Sequence, residues 1–314
     1  MYQTKLGRAY VGDARCLLSH LGEETVDLVL TSPPFTLPRR TACGDHDQTG
    51  YAYWLLDVCR EVHRVLRPTG SLVLDLGGAY SKGRLGRSLF NYWVLRRFCN
   101  ALSFRLAEEF FWCRTAGLPL PIQWVSKRRL RIKGWVNTVA FWARVASFSA
   151  AWPLTKRVPS IWWLPKGDYP KVGVRGARVA DSEPTCEPRE QANGLEMANA
   201  DGSPPYLRLC KLARIAAHPA RFPAELPAFF IALLTDPGDL VLDFFAGSNT
   251  TGAAAEAAGR HWMAVESNGD HLAASVFRFA AGMPEAEALA VYEALRSEPG
   301  AAMHIGGRCP GPAC

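Results

Sequence analysis

The stretch 239–252, DLVLDFFAGSNTTG, decides the fold. Asp239–Phe245 is a continuous apolar run, which suits a strand buried on both faces. Thr250–Ala258 is rich in alanine and reads as a helix. The turn Phe245-Ala246-Gly247-Ser248-Asn249 joins them. A glycine-bearing turn from strand to helix lets a ligand approach the backbone closely. The helix start offers N–H groups to a carboxylate or phosphate, and Ser248 or Thr250 can cap it. His261–Glu266 reads as the next strand, and Glu266 stands at its end, 19 residues past Gly247. An acid there can accept hydrogen bonds from both hydroxyls of a ribose. Asp243 lies near the end of the first strand, close to the turn. Taken alone, the pattern also fits a plain strand–helix turn with a cap. The G-x-G-x-x-G spacing of nicotinamide-binding turns is absent, because Asn249 stands where the second glycine would be. Asparagine tolerates left-handed backbone, so the turn can still form.

The same alternation runs outward from this unit. Arg8–Gly12, Val26–Leu30, Ser71–Leu76 and Phe104–Cys113 read as strands. Ala14–Leu21, Tyr51–Leu66, Phe90–Leu102, Pro223–Leu234 and Asp270–Ala280 read as helices. Strands alternating with helices at both ends of the chain predict an α/β fold with a doubly wound, mostly parallel sheet. From about residue 127 to 217 the alternation is lost, so a separate region is expected there. Residues 166–206 are rich in Gly, Pro, Asp, Glu and Asn, and a mobile loop is expected. The tail from 298 to 314 is expected to be unstructured.

A second turn matches the first. Thr31-Ser32-Pro33-Pro34-Phe35 follows the apolar strand VDLVL. Two prolines stiffen the backbone and remove two N–H donors. The Ser32 and Pro33 carbonyls can then only accept, the Ser32 hydroxyl adds an adaptable partner, and Phe35 offers a flat face. Such a set suits a planar amine. A rigid Pro-Pro turn with a core phenylalanine is the plain alternative. Ligands bind at the carboxyl ends of strands in open parallel sheets, and two specialised turns at such ends favour the functional reading.

Composition narrows the class. The chain has 314 residues, 48% hydrophobic and 21% charged, which excludes wholesale disorder, collagen and coiled coil. The N-terminal MYQTKLGRAYV lacks the apolar core of a signal peptide. Trp135–Leu154 is apolar, but Asn137, Thr138 and Arg144 argue against a membrane span. Nine cysteines with no C-x-x-C pair predict neither a metal site nor a disulfide framework, and a reducing cytoplasmic setting.

The two turns together resemble the S-P-P-[YF] and F-x-G-x-G motifs of S-adenosylmethionine-dependent DNA amino-methyltransferases. His218-Pro219-Ala220-Arg221-Phe222-Pro223 is similar to that family's segment over the methionine part of the cofactor. Gly12-Asp13 resembles its motif near the adenine end, and the run Arg64–Gly70 resembles its R-V-L-K-P-x-G turn. The S-P-P motif precedes a central variable region and the cofactor motif follows it, which is the permuted order of the beta class, known from restriction–modification systems. The resemblance covers about residues 8–125 and 207–281. It implies a Rossmann-like methyltransferase fold with an inserted target-recognition region. The halves would be 1–125 (catalytic) and 218–297 (cofactor-binding), with 126–217 gripping DNA.

The resemblance also implies roles. Ser32, Pro33, Pro34 and Phe35 would be catalytic. Asp13, Thr31, Phe222, Pro223, Asp243, Phe244, Phe245, Ala246, Gly247, Ser248, Asn249, Thr250, Thr251 and Glu266 would hold S-adenosylmethionine. Ser in place of the Asp of D-P-P-Y members goes mostly with the N4 amine of cytosine, and some cytosine-N4 members share the Gly-Ser-Asn form of the cofactor turn. The implied activity is methyl transfer to cytosine N4 in duplex DNA, after base flipping. Adenine N6 is the alternative base, and a DNA-binding protein with a lapsed methyltransferase fold is the alternative class. Double-stranded DNA, a homodimer and a companion restriction endonuclease acting on the same site are the partners implied, with no membrane.

Charge locates the DNA-facing part. The formal net charge is +7. Residues 126–178 hold twelve basic residues and one acid, Asp168, so the rest of the chain is slightly acidic. Lys127, Arg128, Arg129, Arg131 and Lys133 form the densest run, which is expected to contact phosphates.

Overall fold

The computed structural model describes residues 1–34, 48–76, 90–114, 160–165, 194–197, 202–297 and 303–305. Its central strands are buried on both faces, as their apolar runs require. Leu28, Leu30, Val73, Val241 and Ala264 point into one core layer, while Val29, Leu72, Leu74, Leu242 and Val265 point into the other. This is the period-2 alternation of a strand with a hydrophobic layer on each side.

Ten strands make one sheet among the described residues. They are β1 (Tyr2–Gln3), β2 (Gly7–Val11), β3 (Val26–Thr31), β4 (Leu66–Leu76), β5 (Glu108–Arg114), β6 (Ser160–Pro165), β7 (Gly194–Met197), β8 (Leu240–Asp243), β9 (His261–Glu266) and β10 (Met303–His304). The order is β10-β1-β2-β9-β8-β3-β4-β6-β5-β7. The run β2-β9-β8-β3-β4 is parallel throughout. β1 pairs antiparallel with β2, and β6 pairs antiparallel with both β4 and β5.

The helices are α1 (Ala14–Ser19), α2 (Gln48–Val65), α3 (Phe90–Leu102), α4 (Pro204–Leu212), α5 (Glu225–Leu234), α6 (Thr250–Ala257), α7 (Gly269–Ser275) and α8 (Glu285–Ser297). One core layer gathers residues of α1, α2 and α3, and the other gathers residues of α4, α5, α7 and α8. The expected doubly wound α/β sheet is what the chain forms. Among the described residues no helix is long and apolar enough to cross a membrane.

Several elements differ from the sequence expectation. The strand expected over 239–245 stops at Asp243, because its carboxylate accepts the Phe245 amide at 3.1 Å and turns the chain. The helix expected over 270–280 breaks into α7 and a 3-10 turn, Val276–Arg278. α4 was not expected, since its two prolines read as loop; proline is tolerated at a helix start. α8 was not expected either, although Ala288, Tyr292 and Leu295 recur on one buried face. Four strands fall where none was anticipated: β1 at residues 2–3, β6 in the region without alternation, β7 inside the loop expected over 166–206, and β10 in the tail, where it pairs with β1. Phe35, the basic run 127–133 and the apolar stretch 135–154 lie outside the described residues.

Candidate active site at the carboxyl edge of the sheet

Five neighbouring parallel strands end on one edge, and four of them bring a residue expected from the sequence there. β2 leads to Asp13, β9 ends in Glu266, β8 in Asp243, β3 in Thr31, and β4 runs through Asp75. β8 and β3 are paired neighbours, Leu28 with Val241 and Val29 with Leu242. The chain leaves β8 toward β9 and leaves β3 toward β4. The strand order therefore reverses between them, and open α/β sheets hold ligands in the crevice outside such a reversal. The two turns that stood out in the sequence meet at this point.

Asp243 ties them together. Thr31 Oγ1 donates to its Oδ1 at 2.6 Å, and Thr251 Oγ1 donates to its Oδ2 at 2.7 Å. The side chain is buried. Burial pushes its pKa up to about 6, with a smaller push from the Glu266 charge, against the pull of its three donors.

The turn after β8 is shaped by two left-handed residues, Gly247 (φ 51) and Asn249 (φ 55). A side chain at 247 would put its Cβ 2.9 Å from His218 Cε1, so glycine lets the imidazole lie on the backbone. Gly247 N donates to Glu266 Oε2 at 2.8 Å, and Asn268 N donates to Oε1 at 2.8 Å. A carboxylate offers about four acceptor positions, so Glu266 keeps capacity for a diol. Ala246 N donates to the Val265 carbonyl at 3.0 Å, and Ser248 Oγ lies 3.3 Å from Thr250 Oγ1. Asn249, rather than Ser248 or Thr250, caps α6: its Oδ1 accepts the Gly252 amide at 3.1 Å.

At the turn after β3, Ser32 Oγ donates to the Asp75 carbonyl at 3.2 Å. Its proton is committed, so what the oxygen has left to offer a ligand is acceptor capacity. Pro33 is buried and Pro34 half-buried.

The remaining candidates are placed as follows. Asp13 caps α1 through the Arg15 amide at 2.8 Å, and its bond to the Arg15 guanidinium holds its carboxyl below the usual range. Phe244 is buried in the core, while Phe245 is half-buried against Trp54 of α2, with ring centroids 5.4 Å apart. In the segment 218–223, His218 touches the turn, whereas Phe222 packs against the core layer below and Pro223 is buried. Burial, then the neighbouring His271, holds the His218 imidazole below its ordinary pKa.

Three residues that support the turn carried no sequence signal. Tyr2 accepts a hydrogen bond from Asn249 Nδ2 at 2.9 Å and pairs with Ser275 Oγ at 2.6 Å. Arg278 donates to the Ser248 carbonyl, and to Ser248 Oγ at 2.8 Å. Tyr2 and Ser275 lie 273 residues apart, so spacing could not have joined them.

Comparison with known proteins gives a consistent picture. The family model described as DNA methylase matches residues 26–277. The Type II methyltransferase M.PvuII of Proteus hauseri is 41% identical over 289 residues, covering 88% of this chain and 85% of the relative. The solved structure of PvuII DNA methyltransferase (cytosine-N4-specific) matches with a TM-score of 0.76 and 38% identity, covering 96% of each chain. A putative DNA modification methylase of Thermus thermophilus, solved with S-adenosyl-L-methionine, shares the fold at a TM-score of 0.53 and 23% identity, covering 97% of this chain and 100% of that one.

Proposed function

The chain belongs to the DNA methylase family, and from that premise we propose that it is a site-specific methyltransferase acting on the exocyclic N4 amine of cytosine in duplex DNA, with S-adenosylmethionine as methyl donor. The observation that carries the site is the Thr31–Asp243 bond, which brings the Ser32-Pro33 turn beside the Gly247 turn at the strand reversal.

The residues suit the donor. Glu266 has acceptor capacity for a ribose diol beside a turn without a side chain at 247. The row Asp13, Glu266 and Asp243 is acidic, as a sulfonium-bearing cation needs. Phe245 and Trp54 form an aromatic wall at the turn. When bound, S-adenosylmethionine supplies an electrophilic methyl group.

The chain's own part is positioning. The amine of cytosine is a weak nucleophile, because its lone pair is delocalised into the ring. Ser32 Oγ and the Pro33 carbonyl would accept its two N–H bonds, favour a pyramidal nitrogen and free the lone pair. That nitrogen would take the methyl as its carbon–sulfur bond breaks, leaving S-adenosylhomocysteine, and one N–H proton would pass to water, with no covalent enzyme intermediate needed. Acceptors fixed in advance, such as a Ser32 held by Asp75, avoid reorganisation during the step. The target amine is inside a duplex, so the base must leave the stack, with Phe35 as the stacking face. Lys127, Arg128, Arg129, Arg131 and Lys133 supply phosphate contacts. Asp13 and Ala246 lie on the same edge; Thr31 and Thr251 hold Asp243; Ser248, Asn249 and Thr250 shape the turn; and Phe222, Pro223 and Phe244, expected as contacts to the donor, are buried or packed behind the site.

A homodimer and a companion endonuclease cutting the same site belong to this reading as partners. Duplex DNA incubated with the purified chain and methyl-labelled donor should become labelled. Unlabelled DNA, with the donor bound, would leave a DNA-binding protein with a lapsed site.

A further inference from the structure

Asn249 departs from the glycine usual in this turn, and the structure shows what its side chain does. It is 0% exposed and sits in left-handed backbone, φ 55 and ψ 43. Oδ1 accepts the Gly252 amide, and Nδ2 donates to the Tyr2 hydroxyl. Ser275 Oγ donates to the Leu272 carbonyl at 2.6 Å, so it accepts from Tyr2. The donor order is therefore fixed along one buried chain: Asn249 amide, Tyr2 hydroxyl, Ser275 hydroxyl, Leu272 carbonyl. Tyr2 is 1% exposed and Ser275 0%. The Tyr2 ring packs at a steep angle against Trp262 at 6.2 Å and Phe279 at 5.8 Å, which stack on each other at 5.0 Å. β1 thus reaches from the chain's second residue to the back of the donor turn.

We propose that Tyr2 is a positioning residue for methyl-donor binding: its hydroxyl clamps the Asn249 amide and so fixes the Gly247–Thr250 turn in the geometry that presents Gly247 and Glu266. This rests on the donor reading of that turn. A glycine at 249 needs no clamp, because it adopts positive φ without a side chain to anchor. An asparagine loses side-chain entropy and buries an amide that must be satisfied. Tyr2 and Asn249 therefore act as one unit, and the consequence of removing the hydroxyl depends on which residue stands at 249.

The test is a double-mutant cycle read by equilibrium binding of S-adenosylhomocysteine, with thermal unfolding in its absence. Tyr2→Phe keeps the ring packing and leaves the Asn249 amide unpaired, so binding should weaken roughly tenfold. In the methylation assay the donor KM should rise, with kcat and the DNA KM within about twofold. In the Asn249→Gly background, Tyr2→Phe should change binding less than about twofold, and the double variant should melt above Tyr2→Phe alone. Unchanged binding in Tyr2→Phe would overturn the proposal, and so would an equal loss in both backgrounds. If Tyr2→Phe is too unstable to assay, Ser275→Ala leaves the Tyr2 hydroxyl able to accept from Asn249 but no longer oriented, so binding should weaken about threefold and only with Asn249 present; an equal loss in Asn249→Gly would overturn the proposal. A wild-type chain that binds no S-adenosylhomocysteine would overturn the donor reading and the proposal with it; wild-type binding with an insensitive Tyr2→Phe would overturn the proposal alone.

Discussion

Asp243→Asn should make the protein more stable and worse at its task, and the gap should depend on pH. The carboxyl is 2% exposed, and its pKa stands at about 6 against an ordinary 3.8. That difference, about 2 units, corresponds to about 3 kcal/mol against the charged form. The folded value is raised, so this stability is fully present below the unfolded value and is lost as pH rises through about 6. An asparagine carries no such dependence. The stability of Asp243→Asn relative to wild type should therefore rise by about 2 kcal/mol between about pH 4.5 and about pH 7.5, then stay level. Thr31 and Thr251 hydroxyls can each rotate to suit an amide, which shifts the whole curve but not its shape. Urea unfolding of both proteins without donor, across that range, measures it. A stability difference that does not change with pH would refute the account of a carboxyl raised by burial. The complementary readout is donor binding. Wild-type affinity should climb as pH rises through about 6, because the ionised carboxylate attracts a cation, and that rise should vanish in Asp243→Asn.

Gly247→Ala should weaken donor binding at least tenfold and lower stability by about 1–2 kcal/mol, since the new Cβ meets His218 at 2.9 Å from a left-handed residue; calorimetric titration and melting would report it, and normal binding would contradict a need for glycine at 247. Glu266→Gln should reduce donor affinity roughly tenfold with the DNA KM unchanged, as charge-assisted acceptance becomes neutral; an unaffected donor KM would remove Glu266 from the site. Ser32→Ala should lower kcat roughly a hundredfold with donor affinity within about twofold; full activity would end its role. Alanine in place of Arg128 and Arg131 should reduce the salt dependence of DNA binding by about one unit of slope per lost phosphate contact. A slope equal to wild type would place that run away from DNA.

The parallel core was legible because period-2 burial on both faces leaves continuous apolar runs such as VDLVL and SLVLDL. The two turns were legible for the opposite reason: Gly247, Pro33 and Pro34 break the pattern where backbone must be special. What escaped were contacts between distant parts of the chain. Nothing local in Tyr2 or Arg278 says that they brace Ser248 and Asn249. Nothing local in Asp243 says that Thr31 would find it, because that bond depends on β3 lying next to β8. Helices α4 and α8 were missed differently. Two prolines masked the start of one, and the other follows a Gly-Met-Pro break past the last helix expected, over 270–280.

On the proposed reading, a Ser32-Pro33 acceptor pair at the strand reversal would serve a cytosine amine. Duplex DNA methylated by the purified chain with labelled donor, digested to nucleosides and resolved by mass spectrometry, tests it most directly. N4-methylcytosine should be the labelled product, and it should be lost in Ser32→Ala. N6-methyladenine as the sole labelled nucleoside would contradict that reading.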